Sequence, residues 1–81
     1  MTRVLLFGRL RDLAGWRETE LTPASASLAE LKRRLAEAWP DLGAALAGPG
    51  VQVAVDRALA RGDVALRPGA EVAFMPPMSG G

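Results

Sequence analysis

Residues 27–40, SLAELKRRLAEAWP, are the clearest periodic element in the chain, and they constrain what the rest can become. Leu28, Leu31, Leu35 and Trp39 recur at three- and four-residue spacing, which puts them on one helical face. Lys32, Arg33, Arg34 and Glu37 fall toward water, with Glu30 and Glu37 spaced to pair with Arg34 and Arg33. Ser27 and Glu30 have capping-box spacing, in which each side chain satisfies an orphan N–H at the helix start. Pro40 halts the helix, because its ring excludes continuation and biases the preceding residue away from helical geometry. A helix with a single apolar stripe is stable only when that stripe is buried against another layer.

The flanking segments supply strands for that layer. Residues 2–10, TRVLLFGRL, read as a first strand, followed by one helical turn in RDLAGW that Gly15 closes in a left-handed conformation. Residues 17–23 are a more polar strand ended by Pro23, suited to a sheet edge. After the helix, DLGAALAGPG is a small-residue stretch whose last three residues are turn chemistry. Val51, Val53 and Val55 then alternate with Gln52 and Ala54 as a half-buried strand. DRALARGDVAL predicts a tight turn and a short strand, and RPGA puts Pro68 and Gly69 at the centre of a type II turn. EVAFM is the last strand, with Val72 and Phe74 on one face and Ala73 and Met75 on the other. A hairpin, a right-handed helical crossover and three further strands outline an α+β fold of the β-grasp, ubiquitin-like type, its mixed sheet covered on one face by one main helix. Residues 1–75 are expected to form this domain, and residues 76–81 an extended tail.

Composition narrows the chemistry. A chain of 81 residues suits one domain with a modest core, and 49% hydrophobic with 23% charged residues excludes a disordered segment. A formal net charge of +1 argues against nucleic acid or an anionic membrane as the partner. With neither Cys nor His, the chain has no thiolate ligand, no Cys nucleophile and no ordinary general base near neutral pH. Independent acid–base catalysis is therefore disfavoured, and no permanently bound cofactor or metal is expected. No leader-like segment or membrane-length apolar run is visible, so a cytoplasmic location is the expectation. LKRR is the polar side of the helix, RGD at residues 61–63 is a weak tripeptide match, and the glycines lack phosphate-loop spacing.

Two features remain. If Val4 and Leu6 face the helix, Leu5 and Phe7 face away, Met75 shares their parity, and Leu59 is a candidate to join them beside Arg9 or Arg11. Pattern alone leaves open whether these are scattered surface apolars or one docking patch for a partner. The second feature is the tail. Pro76 and Pro77 cannot extend a hydrogen-bond ladder and favour an extended exit. Six residues reach at most about 20 Å, enough to enter another protein's cleft. Gly80 and Gly81 present a carboxylate with the least steric hindrance, which adenylation by ATP would convert into an acylating group for sulfur, thiol or amine. The competing possibility is a frayed end with chance glycines.

With those residues in view, the chain resembles the MoaD family, the small sulfur-carrier subunits of molybdopterin synthase, along essentially its whole length. The resemblance lies in VLLFGRLRDLAG, SLAELKRRLAEAWP, VAVDRALA and above all LRPGAEVAFMPPMSGG. It implies that an E1-like adenylating enzyme uses ATP to activate Gly81, and that a sulfur donor converts the adenylate to a thiocarboxylate. The large molybdopterin synthase subunit would then receive the tail and pass the sulfur to a pterin precursor, supplying the catalytic acid–base groups itself. Carried over by position, the partner-binding residues are Phe7, Arg11, Leu59 and Met75, with Pro76, Pro77, Gly80 and Gly81 as the tail. Asp56 stands where the family often has Asn, and Met75 where an aromatic residue is common. Sulfur carriage for thiazole or tRNA thiolation, or protein modification through Gly81, are the alternatives on the same tail chemistry.

Overall fold

The computed structural model describes residues 1–77. Five strands, β1 (Thr2–Leu6), β2 (Glu18–Leu21), β3 (Gln52–Val55), β4 (Ala58–Ala60) and β5 (Glu71–Met75), form one mixed sheet in the order β2-β1-β5-β3-β4. β1 and β5 run parallel at its centre, with Val4 opposite Val72 and Leu6 opposite Phe74. β2 pairs antiparallel with β1 at one edge, as its polar composition suggested, and β3 runs antiparallel to both β5 and β4. Three helices, α1 (Arg9–Ala14), α2 (Leu28–Ala38) and α3 (Pro40–Leu46), complete the fold.

The main helix follows its sequence closely. Ser27 caps α2 by accepting the Glu30 N–H at 3.1 Å. The reciprocal half of the box is displaced by one residue, since the Glu30 carboxylate accepts the Ala26 N–H at 3.2 Å. Leu28, Leu31 and Leu35 are buried against Val4, Leu6, Val72 and Phe74, each such side chain contributing about 1.5–3 kcal/mol relative to exposure. Trp39 ends the stripe and meets Trp16 edge-to-face, with ring centroids 4.9 Å apart.

Three local expectations are corrected. The first strand stops at Leu6, not Leu10, because Gly8 at φ 57° turns the chain directly into α1. Leu10 thereby enters the core at 2% exposure, and Gly15 closes α1 in the expected left-handed conformation. Pro40 does end α2, but it also opens α3, where a missing N–H costs nothing at the first helical position. The small-residue stretch is thus largely helical, with Leu42 and Leu46 buried. Gly43 lets α3 press against α2, since a Cβ on it would overlap Ala36 and lie 2.6 Å from the Ala36 Cα. Finally, Arg34 does not pair with Glu30, nor Arg33 with Glu37. The Arg34 guanidinium donates to the Pro23 carbonyl at 2.6 Å and to Ser25 Oγ at 2.8 Å. Ser25, buried, donates its own N–H to the buried Thr2 hydroxyl at 2.8 Å. The salt bridge found among the described residues is Arg3–Glu18 at 2.6 Å, between β1 and β2 on the exposed side.

Candidate functional site

The helices cover one face of the sheet, and strand alternation dictates what the other face carries. Register places Glu18, Leu5, Ala73, Ala54 and Leu59 in one row across all five strands. Phe7, just past the end of β1, and Met75, the last residue of β5, follow Leu5 and Ala73 one alternation further toward the tail. Phe7 is 49% and Leu59 68% exposed, high values for large apolar side chains. Met75 is half-buried, with Gln52 opposite it on β3.

The expected docking residues are thus on one side of the molecule, though not in one cluster. Arg11, from α1, lines a shallow hollow with Leu5, Phe7, Arg17 and Glu18. Phe7 and Met75 share an adjacent hollow with Gly8, Gly50, Gln52, Pro76 and Pro77, at the root of the tail. Leu59 stands apart on edge strand β4, in a hollow with Val51, Gln52 and Arg61, and joins the others through Gln52, which lines both hollows, and through the row of Ala54 and Ala73. Arg9, weighed beside Arg11 as a flank, lies across the tail root with Leu10, Ala45, Pro49, Pro76 and Pro77. Gly80 and Gly81 lie outside the described residues.

Sequence inspection missed Gly8, Arg17, Gly50 and Gln52 at this surface. Nothing local marks them, because their proximity to the tail depends on the parallel β1–β5 pairing and on β3 beside β5. Asp56 is settled differently. Its carboxylate accepts the Glu71 N–H at 2.9 Å, a bond that the side-chain oxygen of Asn could equally accept. Among the described residues no group of three or more Asp, Glu, His or Cys could hold a metal ion. Nor is any described helix long and apolar enough to cross a membrane. The site therefore offers apolar contact area, arginines at its margin and an outgoing chain, which suit a body held by a partner while its tail reacts elsewhere.

Residues 4–81 match the profile of the ThiS family. The chain belongs to the ThiS family. It is 33% identical over 81 residues to the molybdopterin synthase sulfur carrier subunit of Escherichia coli, covering 100% of both chains. The resemblance to MoaD is thereby borne out, and the chain is a sulfur carrier of the ThiS/MoaD kind. Its fold superposes on small archaeal modifier protein 1 of Haloferax volcanii with a TM-score of 0.86 and 26% identity, covering 99% of this chain and 98% of that one. A putative molybdopterin converting factor subunit 1 from Pyrococcus furiosus matches with a TM-score of 0.74 and 26% identity, covering 95% of this chain and 97% of that one. The β-grasp expectation is borne out by these superpositions.

Proposed function

We propose that this ThiS-family protein carries sulfur for molybdopterin synthesis, with the Gly81 carboxylate as its reacting group. The observation that carries the proposal is the full-length match, at 33% identity, with the Escherichia coli subunit. The geometry supports it: an open apolar face runs into the tail root, so a partner gripping Phe7, Met75 and Leu59 would also receive the tail. In the first step the carboxylate oxygen attacks the α-phosphorus of ATP in an E1-like enzyme, and pyrophosphate leaves. A persulfide sulfur then attacks the acyl carbon and AMP departs. A thiol of the donor system cleaves the resulting S–S bond, is oxidised to a disulfide, and leaves the thiocarboxylate. The large synthase subunit would bind the same face and direct that sulfur to the pterin precursor.

A second reading is favoured by the likeness to the Haloferax modifier: ligation of Gly81 to a lysine of another protein. Both routes share the adenylate and diverge at the nucleophile. Incubation with the activating enzyme, ATP and a sulfur donor is expected to raise the intact mass by one oxygen-to-sulfur replacement, localised to Gly81. Absence of that species under turnover would overturn the carrier proposal, whereas isopeptide conjugates lost on deleting Gly81 would support the modifier.

A further inference from the structure

Two glycines from separate loops floor the path by which the tail leaves the sheet. Gly8 follows β1 at φ 57°, and a Cβ on it would lie 2.8 Å from Pro76 Cγ. Gly50 precedes β3 at φ 82°, and a Cβ on it would lie 2.9 Å from Pro77 Cβ and 3.3 Å from Pro77 Cγ. Positive φ alone does not account for this pair. Gly15, Gly62 and Gly69 have φ of 83°, 70° and 85°, yet a Cβ on any of them would meet nothing within 4 Å. Because β5 lies between β1 and β3, the glycines approach the tail from opposite flanks, one proline ring seated on each.

We propose that Gly8 and Gly50 are positioning residues for the C-terminal arm, seating Pro76 and Pro77 and so setting the direction in which the chain leaves the open face. The proline rings lock φ near −65°, so the seat of each ring is transmitted to the course of the backbone. The geometry stands by itself, and its catalytic consequence rests on the carrier function proposed above. Four residues follow Pro77 and reach at most about 13 Å, so the point and direction at which the chain leaves Pro77 set what the terminal carboxylate can reach. Misplacement of about 1 Å at a reacting centre can lower a rate on the order of 100-fold. Gly8 and Gly50 line the hollow of Phe7 and Met75 but add no side chain to it, so damage to the seat is expected chiefly in kcat.

The test compares Gly50→Ala with Gly69→Ala, which imposes a similar backbone penalty far from the tail. In thiocarboxylate formation by the activating enzyme, Gly50→Ala is expected to lower kcat by about tenfold or more with KM within about twofold, while Gly69→Ala changes neither. Equal effects of the two substitutions, or a loss confined to KM, would overturn the proposal. A partner-free readout uses the chain's lack of cysteine: spin labels at Arg33→Cys and Ser79→Cys report the distance from α2 to the arm. Gly50→Ala should shift that distribution and Gly69→Ala should not; coincident distributions sink the proposal even if the carrier chemistry is confirmed. If the unsubstituted protein is never thiocarboxylated, the carrier function fails and the distances alone decide the seat. Should Gly50→Ala not fold, Gly8→Ala is tested with and without Pro76→Ala, which removes the Cγ and Cδ atoms in the way. The expected result is a smaller shift in the Pro76→Ala background, and an equal one is the contrary result.

Discussion

Asp56 and Arg57 turn β3 into β4 with φ of 49° and 71°, the two-residue type I′ geometry that right-twisted strands prefer. Asp56 tolerates it because its carboxylate and N–H both bond Glu71, the latter donating to the Glu71 carbonyl at 2.8 Å. Asp56→Asn preserves the acceptor and is expected to change stability by less than about 0.5 kcal/mol, whereas Asp56→Ala should cost about 1 kcal/mol in urea denaturation. Arg57 has no such compensation among its hydrogen bonds in the described residues. A left-handed conformation costs a non-glycine residue about 1–2 kcal/mol, and the added freedom of glycine in the unfolded chain returns roughly half of that. Arg57→Gly is therefore expected to stabilise the protein by about 0.5–1 kcal/mol and to raise Tm by a few degrees. An unchanged or lower Tm would show that the turn is not strained.

At the scale of elements, α2 was legible and α3 was not, for one physical reason. Leu28, Leu31, Leu35, the Ser27 cap and the Pro40 stop are all local signals, so they survive in sequence without knowledge of the sheet. Residues 40–46 are small, carry a glycine and follow directly on a stop signal, so their helical state depends on packing against α2. Gly43 reports that dependence. Alanine has the better helix propensity by about 1 kcal/mol, but its Cβ would overlap both the side chain and the backbone of Ala36, and overpacking costs about 1–3 kcal/mol. Gly43→Ala is expected to lower stability by up to about 2 kcal/mol in thermal or urea unfolding. A stabilised variant would mean that the two helices separate freely.

The whole molecule divides its tasks between the two faces of one sheet. Leu35 on the covered side is fully buried, and Leu35→Ala should cost about 2–5 kcal/mol, a large share of what a chain this size has. Phe7 and Leu59 on the open side are 49% and 68% exposed, so Phe7→Ala and Leu59→Ala should each change stability by less than about 1 kcal/mol. If the open face is the docking face, the double variant should weaken capture of the activating enzyme or the large subunit on the order of 10–100-fold, measured by calorimetry, with Tm nearly unchanged. Affinity unchanged by that double variant would remove the face from the proposed cycle while leaving the tail in it.

Sequence by itself determined whatever rests on near neighbours along the chain. That includes the amphipathic stripe and cap of α2, the alternation that sends Leu5, Phe7, Ala73 and Met75 away from it, the Pro68–Gly69 turn, and the prolines directly after β5. The edge position of β2 was legible for the same reason, in its polar residues. Only the tertiary structure decided what depends on long-range register. The parallel β1–β5 pairing brings Phe7 beside Met75 and, with β3 on the other side of β5, leaves Leu59 on the far edge. It also sets Gly8 and Gly50 beneath Pro76 and Pro77. Residues so far apart in the chain share no local period, so their contact becomes visible only when the sheet is assembled.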